Sequence, residues 1–297
     1  MENIKVSYCI LTYNQEKYIE ETIEAAFAQT YSPMEIIISD DGSTDNTFDI
    51  VKRKVAEYKG PNKIIINQNN PNLGLREHYN KVWYELSHGE YLIMADGDDV
   101  SINTRVEDYV RVFERFPEVV MVSSKSIETD SNLKPLKNDE EWDGSFSINT
   151  INDYIDNKNW LIHSSDSRGL KRTVIDTFPP IKYPKAEDLS CFLRALLVGS
   201  ECYLNKGYVY RRHHEFNCSN VPLSSDGAQR LVRQMDEDVQ LALDKKLITD
   251  KKALSVMEKF KFSLKYLSIY GVPFYSSPKV FMYRLLSRLF KVTRSRL

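Results

Sequence analysis

The apolar run Tyr91-Leu92-Ile93-Met94-Ala95 stops in Asp96-Gly97-Asp98-Asp99, three carboxylates within four residues. Like charges this close raise the cost of ionising one another, so a cation among the side chains would let all three stay charged. Carboxylate oxygens select hard divalent ions, and Mg²⁺ in particular is held by one or two carboxylates together with substrate phosphates. A solvated acidic turn after a strand is the competing reading. A second polar cluster, Asp40-Asp41-Gly42-Ser43-Thr44-Asp45, follows the run Glu35 to Ser39. Gly42 relaxes the turn, and Thr44 or Asp45 can cap a helix beginning near Asn46. Capping leaves Asp40 and Asp41 unexplained; at a strand end they can accept hydrogen bonds from a base or ribose, or simply shape the turn. Farther on, Arg211 and Arg212 offer guanidinium forks that match phosphate oxygens.

Elements that would position these groups alternate through the first half of the chain. Strand-like runs at Val6 to Leu11, Glu35 to Ser39, Lys63 to Asn67, Tyr91 to Ala95 and Val119 to Ser123 enclose helix-period segments at Tyr18 to Ala28, Asn46 to Tyr58, Leu75 to Leu86 and Thr104 to Phe116. Such alternation predicts an α/β domain with a mainly parallel central sheet flanked by helices. Ligands in that architecture bind at the carboxyl ends of the strands. Thr12-Tyr13-Asn14, the Asp40 cluster and the Asp96 cluster then share one edge. Residues Asn132 to Gly144 are polar and aperiodic, as a loop or hairpin over the site would be. Helical spacing at Glu187 to Val198 and a strand at Cys202 to Tyr210 come next, and beyond Pro222 the pattern is helical: Ser225 to Lys246, Asp250 to Tyr270 and Pro278 to Thr293.

The first glycine is Gly42, so no Gly-rich turn follows the first strand. That excludes dinucleotide-binding Rossmann domains, Walker-type ATPases and nucleotidyltransferases with a Gly-rich N-terminal loop, all of which wrap backbone around phosphates. Four scattered cysteines with no CxxC pair argue for reduced thiols, not a zinc site or a disulfide framework. No signal peptide and no apolar run of about 18 residues is expected, which suits a cytoplasmic protein. The formal net charge of −2 hides an asymmetry: from Lys259 to Leu297 there are nine Lys or Arg and no Asp or Glu. Arg284, Arg288 and Lys291 share one helical face, and Met282, Leu285, Leu286, Leu289 and Phe290 share another. A basic amphipathic helix over Pro278–Leu297 can lie on an anionic membrane surface or pack on its own domain.

The ordered set Thr12-Tyr13-Asn14, Ser39-Asp40-Asp41-Gly42-Ser43-Thr44-Asp45, Asn72-Leu73-Gly74 with Asn80, Ala95-Asp96-Gly97-Asp98-Asp99, Glu187-Asp188 and Arg212-x-His214-x-x-Asn217-x-Ser219 resembles glycosyltransferase family 2, whose catalytic domain has the GT-A fold. The resemblance spans about Lys5 to Asn220. It implies a catalytic domain over 1–220 and a helical extension over 221–297. It also implies an inverting, metal-dependent transfer from a nucleotide-activated sugar, a UDP-sugar in first place, to a glycan or lipid-linked hydroxyl, with no nucleic acid involved. Asp41 would meet the base and Thr12 would line the nucleotide pocket, with Tyr13, Asn14, Asp40, Asn72, Gly74, Asn80, Asp96 and Arg212 around them. Many members carry a basic residue just before the Asn of the third motif, where this chain has Tyr79; Arg76 is the substitute. Asp96, Asp98, Asp99 and His214 would hold Mn²⁺ or Mg²⁺, with Asp98 the principal ligand and His214 favoured over His213 by its distance from Asn217. Such an ion neutralises charge on the departing diphosphate. Asp188 would be the base that deprotonates the acceptor, with Glu187 beside it, although capping of the following helix is a rival role. A peripheral position on the inner face of the plasma membrane would suit a lipid-linked acceptor. Rival readings are a nucleotidyltransferase or phosphate-ester hydrolase using the same acidic cluster, and a catalytically degenerate nucleotide-binding or scaffold subunit.

Overall fold

A computed structural model describes residues 5–137, 144–156, 167–183, 187–215, 217 and 225–258. Strand β1 (Val6–Thr12) leads to α1 (Ile19–Phe27), β2 (Glu35–Asp40), α2 (Thr47–Glu57), β3 (Lys63–Gln68) and α3 (Leu75–Lys81), which runs on into one π-helical turn at Val82–Leu86. Then come β4 (Tyr91–Asp96), β5 (Val100–Ser101), α4 (Arg105–Arg115), β6 (Val119–Thr129), β7 (Phe146–Asn149), α5 (Ile151–Asp156), β8 (Gly169–Lys171), α6 (Arg172–Thr177), α7 (Glu187–Val198), β9 (Ser200–Arg212) and α8 (Ser225–Asp244).

One sheet orders the strands β3-β2-β1-β4-β8-β6-β9-β5, with β7 also paired to β9. The first four strands are parallel, as the alternation predicts. The far half is mixed: β8 is antiparallel to both β4 and β6, and β5 and β7 are antiparallel to β9, while β6 and β9 are parallel. Three residues of β8 carry no readable period, and Gly169 fits there because a Cβ would lie 2.8 Å from both Ile93 and Tyr109 side chains.

Strands buried on both faces read as continuous apolar runs, and alternate residues feed two cores. Cys9, Leu11, Ile37, Leu92 and Met94 face a core built with α6, α7 and α8. Tyr8, Ile10, Ile36, Ile38 and Ile93 face another, filled by Ile19, Ile23 and Ala26 of α1 and by Val106, Tyr109, Val110 and Phe113 of α4, spacings that put each set on one helical face. From α8, Leu231, Met235, Val239 and Ala242 enter the first core, so the first helix of the expected C-terminal extension packs directly on the α/β layer. The described cysteines, Cys9, Cys191 and Cys202, are buried and unbridged. Among the described residues no helix is long and apolar enough to cross a membrane. The expected basic helix over Pro278–Leu297 lies outside the described residues, as do residues 138–143 of the Asn132–Gly144 loop.

Candidate functional site

Four strand ends are tied into one rim by backbone hydrogen bonds. Asp41 donates its N–H to Thr12 O and Gly97 donates to Leu11 O, both at 2.9 Å, while Asn69 donates to Asp40 O at 2.8 Å. The turn after β4 lies so close to β1 that a Cβ on Gly97 would sit 2.2 Å from Gln15 Oε1 and 2.7 Å from Thr12 Cβ. Thr12 Oγ1 in turn donates to Gln15 at 2.8 Å. Thr12 is buried, whereas Tyr13 is exposed on the rim. Asn14 turns the chain with φ of +53°, its Oδ1 accepting the Thr44 N–H and its own N–H donating to Ser43 Oγ, each at 2.8 Å.

Asp40 and Asp41 face different tasks. Asp40 accepts from the Ser43 N–H at 3.0 Å and Gln68 Nε2 at 3.1 Å, and from the Ser43 hydroxyl. Asp41 is 3% exposed. Its Oδ1 accepts from Asn69 Nδ2 and the Leu73 N–H, and its Oδ2 from the Gly74 N–H, all at 2.9 Å. Asn72 closes the loop by donating to Asp41 O at 2.7 Å and accepting from Gly74 at 3.0 Å. Gly74, with φ of +78°, then starts α3. The Asn72-Leu73-Gly74 motif is thus wrapped around the Asp41 carboxylate. Beneath it, His78 Nε2 meets Ser39 Oγ at 2.7 Å, and burial pushes that imidazole below its ordinary pKa.

The acidic turn faces the end of β9. Asp98 Oδ2 lies 2.8 Å from His214 Nε2, both side chains nearly buried. Asp99 Oδ1 accepts the Arg212 N–H at 2.9 Å, and Asp96 is half-buried at the strand end. His213 points elsewhere, to Glu128, so His214 is the imidazole at the acidic turn. Its ring stacks on Tyr18, with centroids 4.9 Å apart. Asn217 pins the segment, accepting the His214 N–H at 2.6 Å and donating to Arg212 O at 3.1 Å. Carboxylate oxygen and imidazole nitrogen are a donor set that suits Mn²⁺, and with substrate phosphates also Mg²⁺. Among the described residues no three His, Cys, Asp or Glu side chains form a group able to hold an ion.

Arg212, Asn80 and Arg76, also expected at the nucleotide, have these protein partners. Arg212 is 3% exposed; its Nε donates to Asp98 O at 2.7 Å, Nη1 to Ser131 O at 2.8 Å and Nη2 to Glu21, with the guanidinium 4.9 Å over the Tyr18 ring. It braces the acidic turn from within. Asn80 accepts the Ile181 N–H and donates to Ile181 O, both at 2.9 Å. Arg76 pairs with Glu77 at 2.6 Å and reaches Ile181 O at 3.4 Å. Glu187 is buried at the first turn of α7; Asp188 follows it on the same helix, its side chain outside the described residues. Tyr18, Glu21 and Asn69 escaped the sequence reading. Asn69 carries a usable signal, since it closes β3 as Asp41 closes β2; Tyr18 and Glu21 carry none, because their partner Arg212 is almost 200 residues away.

The family description "Glycosyl transferase family 2" matches residues 7–178. EpsE of Bacillus subtilis, named "Putative glycosyltransferase EpsE", is 37% identical over 113 residues, covering 37% of this chain and 39% of that protein. WfaP of Escherichia coli, named a UDP-Glc:alpha-D-GlcNAc-diphosphoundecaprenol beta-1,3-glucosyltransferase, is 34% identical over 125 residues, covering 42% of this chain and 47% of its own length. These matches span less than half of either relative. Among solved structures, S. aureus TarS residues 1–349 with UDP-GlcNAc superposes with a TM-score of 0.66 at 19% identity, over 87% of this chain and 72% of that one. The mannosyltransferase PcManGT of Pyrobaculum calidifontis with GDP-Man and Mn²⁺ gives 0.57 at 15% identity, over 97% and 80%. The shared fold is the GT-A fold. With the family profile covering more than half of its length, the chain belongs to glycosyl transferase family 2.

Proposed function

We propose that the chain moves a sugar, with inversion, from a nucleoside diphosphate donor to a hydroxyl of a glycan or lipid-linked acceptor, and that the donor is a UDP-sugar. The observation that carries this reading is the shared rim: Asp41 and the acidic turn are both hydrogen-bonded to the end of β1, which brings a base-side carboxylate and a phosphate-side carboxylate to neighbouring strand ends. Asp41, with the loop 69–74 it organises, meets the base, and Thr12, Tyr13, Asn14 and Asp40 frame the same pocket. Asp98 and His214, with Asp96 and Asp99 alongside, would hold Mn²⁺ or Mg²⁺. The ion, when bound, supplies Lewis-acid stabilisation of the diphosphate leaving group. Arg212 holds the acidic turn for that task, its Nε donating to the Asp98 carbonyl and its backbone N–H to the Asp99 carboxylate. Asp188 accepts the proton of the attacking hydroxyl, on the face of the sugar opposite the leaving group, as an oxocarbenium-like transition state requires.

TarS is solved with UDP-GlcNAc and WfaP is named for a UDP-Glc donor and a diphosphoundecaprenol acceptor; both support a UDP-sugar here, and WfaP supports a lipid-linked acceptor for cell-surface polysaccharide. The catalytic unit is residues 1–220, extended by 221–297, whose basic segment Pro278–Leu297 would hold the enzyme peripherally on the cytoplasmic membrane face. The deciding experiment is calorimetric titration with UDP, GDP and CDP, each with and without Mn²⁺, for wild type and Asp98→Ala, followed by UDP release from UDP-Glc and UDP-GlcNAc. Mn²⁺-dependent UDP binding that is lost in Asp98→Ala is expected. No binding of any nucleotide would overturn the reading.

A further inference from the structure

Residues 178–183, between α6 and α7, have no regular structure, yet almost every one is held by a side chain from elsewhere. From the α3 side, Tyr84 donates its hydroxyl to Phe178 O at 3.0 Å. Asn80 engages both backbone groups of Ile181 at 2.9 Å, as a neighbouring strand residue would. From the other side, Arg194 of α7 donates to Pro179 O at 2.9 Å. Helix α8 supplies the rest: Gln234 Oε1 accepts the Lys182 N–H at 2.8 Å, and Glu237 takes the Lys182 ammonium at 2.7 Å and the Tyr183 hydroxyl at 2.8 Å. Asp238 then closes a two-pronged pair with Arg194, Nε to Oδ2 and Nη2 to Oδ1, each at 2.8 Å. Both side chains of that pair are at most 3% exposed. Gln234 also donates to Asp238 at 3.1 Å.

Stability alone is a poor reason for this arrangement. Desolvating two charges offsets most of their attraction, and the best-attested use of a buried ion pair is to fix register. What is fixed here is the chain entering α7, whose first two residues are Glu187 and Asp188. The other end of the brace is the nucleotide pocket. Gly74, whose N–H donates to Asp41, begins α3, and Asn80 lies six residues on, about 9 Å along the helix axis.

We infer that Asn80, together with Gln234 and Asp238 of α8, is a positioning residue that fixes the start of α7 against the Asp41 pocket, and that α8 is therefore part of the working enzyme. This rests on the reading of Asp188 as the base, so the test has two arms. In the first, hydrogen–deuterium exchange compares the full chain with Asn80→Ala, Asn80→Asp and Glu237→Gln. Peptides covering 179–194 are expected to exchange about tenfold faster in Asn80→Ala and less so in Asn80→Asp, which keeps only the acceptor for the Ile181 N–H; peptides 35–45 and 91–99 stay as in wild type. Glu237→Gln sits on a half-exposed side chain and gives a smaller change in the same peptides, so it answers the question if Asn80→Ala does not fold. Unchanged protection of 179–194 overturns the inference whatever the enzyme does.

In the second arm, UDP affinity by calorimetry is set beside UDP release from a UDP-sugar. Affinity within twofold of wild type, unchanged donor KM and kcat lower by about 100-fold in Asn80→Ala, with partial rescue in Asn80→Asp, is the signature of a group displaced by about 1 Å. Loss of UDP affinity at unchanged kcat would make Asn80 a nucleotide ligand and overturn the inference. If wild type releases no UDP from any UDP-sugar while 179–194 loosens as expected, the brace stands and the catalytic reading fails.

Discussion

Replacing Asp41 with Asn tests whether this carboxylate is the framework of the pocket as well as its contact with the base. The buried side chain receives three N–H groups at 2.9 Å, from Asn69, Leu73 and Gly74. An asparagine placed with its oxygen toward Asn69 and Leu73 keeps two of them as neutral bonds of roughly half the strength, and turns an NH2 toward the Gly74 N–H. The lost bond to an ionised acceptor is worth about 1.5–3 kcal/mol, and an unpaired buried donor costs about 1–3 kcal/mol more. Gly74 retains Asn72 Oδ1 at 3.0 Å as a second acceptor, which puts that cost at its lower end. The sum is about 3 kcal/mol of lost stability, or a fall in Tm of roughly 6–12 °C at about 2–4 °C per kcal/mol. Equilibrium urea denaturation with and without UDP measures it, and UDP affinity is expected to fall together with stability. A variant within about 1 kcal/mol of wild type that nonetheless loses UDP binding would refute the reasoning, because the loop 69–74 would then hold its shape without the carboxylate.

Two further outcomes follow from the same geometry. Gly97→Ala forces a Cβ to within 2.7 Å of Thr12 Cβ and closer still to Gln15; an overpacking cost of about 1–3 kcal/mol is expected, with loss of Mn²⁺-dependent UDP binding, both readable by thermal unfolding and calorimetry. Burial lowers the His78 pKa, so in the window just below its ordinary value of about 6.5 the unfolded chain binds more protons than the folded one. Stability then rises with pH across that window and is lost as pH falls through the folded-state value, by at most about 1.4 kcal/mol per unit. In His78→Gln that slope between pH 7 and 5 is expected to flatten, and an unchanged slope would assign the acid sensitivity to other groups.

Strand ends were legible because a parallel sheet needs no partner information to be read. Each run in β1, β2 and β4 is mainly apolar until it turns polar at its carboxyl end, the edge at which open α/β sheets bind ligands. That is why Thr12, Asp41 and Asp98 could be singled out before any pairing was known. Helix faces in α1 and α4 were equally visible, since their apolar residues recur at helical spacing. Strand β8 was not, because three residues carry no period, and it sits antiparallel between β4 and β6.

Composition and motif order by themselves determined the α/β class, the carboxylates at one sheet edge and the family. Only the tertiary structure decided what each polar group does there. Asp41 organises the Asn72-Leu73-Gly74 loop, and Arg212 braces the acidic turn through Tyr18 and Glu21. Asn80 serves Ile181, and His214, not His213, meets Asp98. The physical reason is range. Periodicity and capping act within a few residues, so they are written in local sequence, whereas a buried donor is satisfied by whichever acceptor the fold brings near it, here from about 30 to almost 200 residues away.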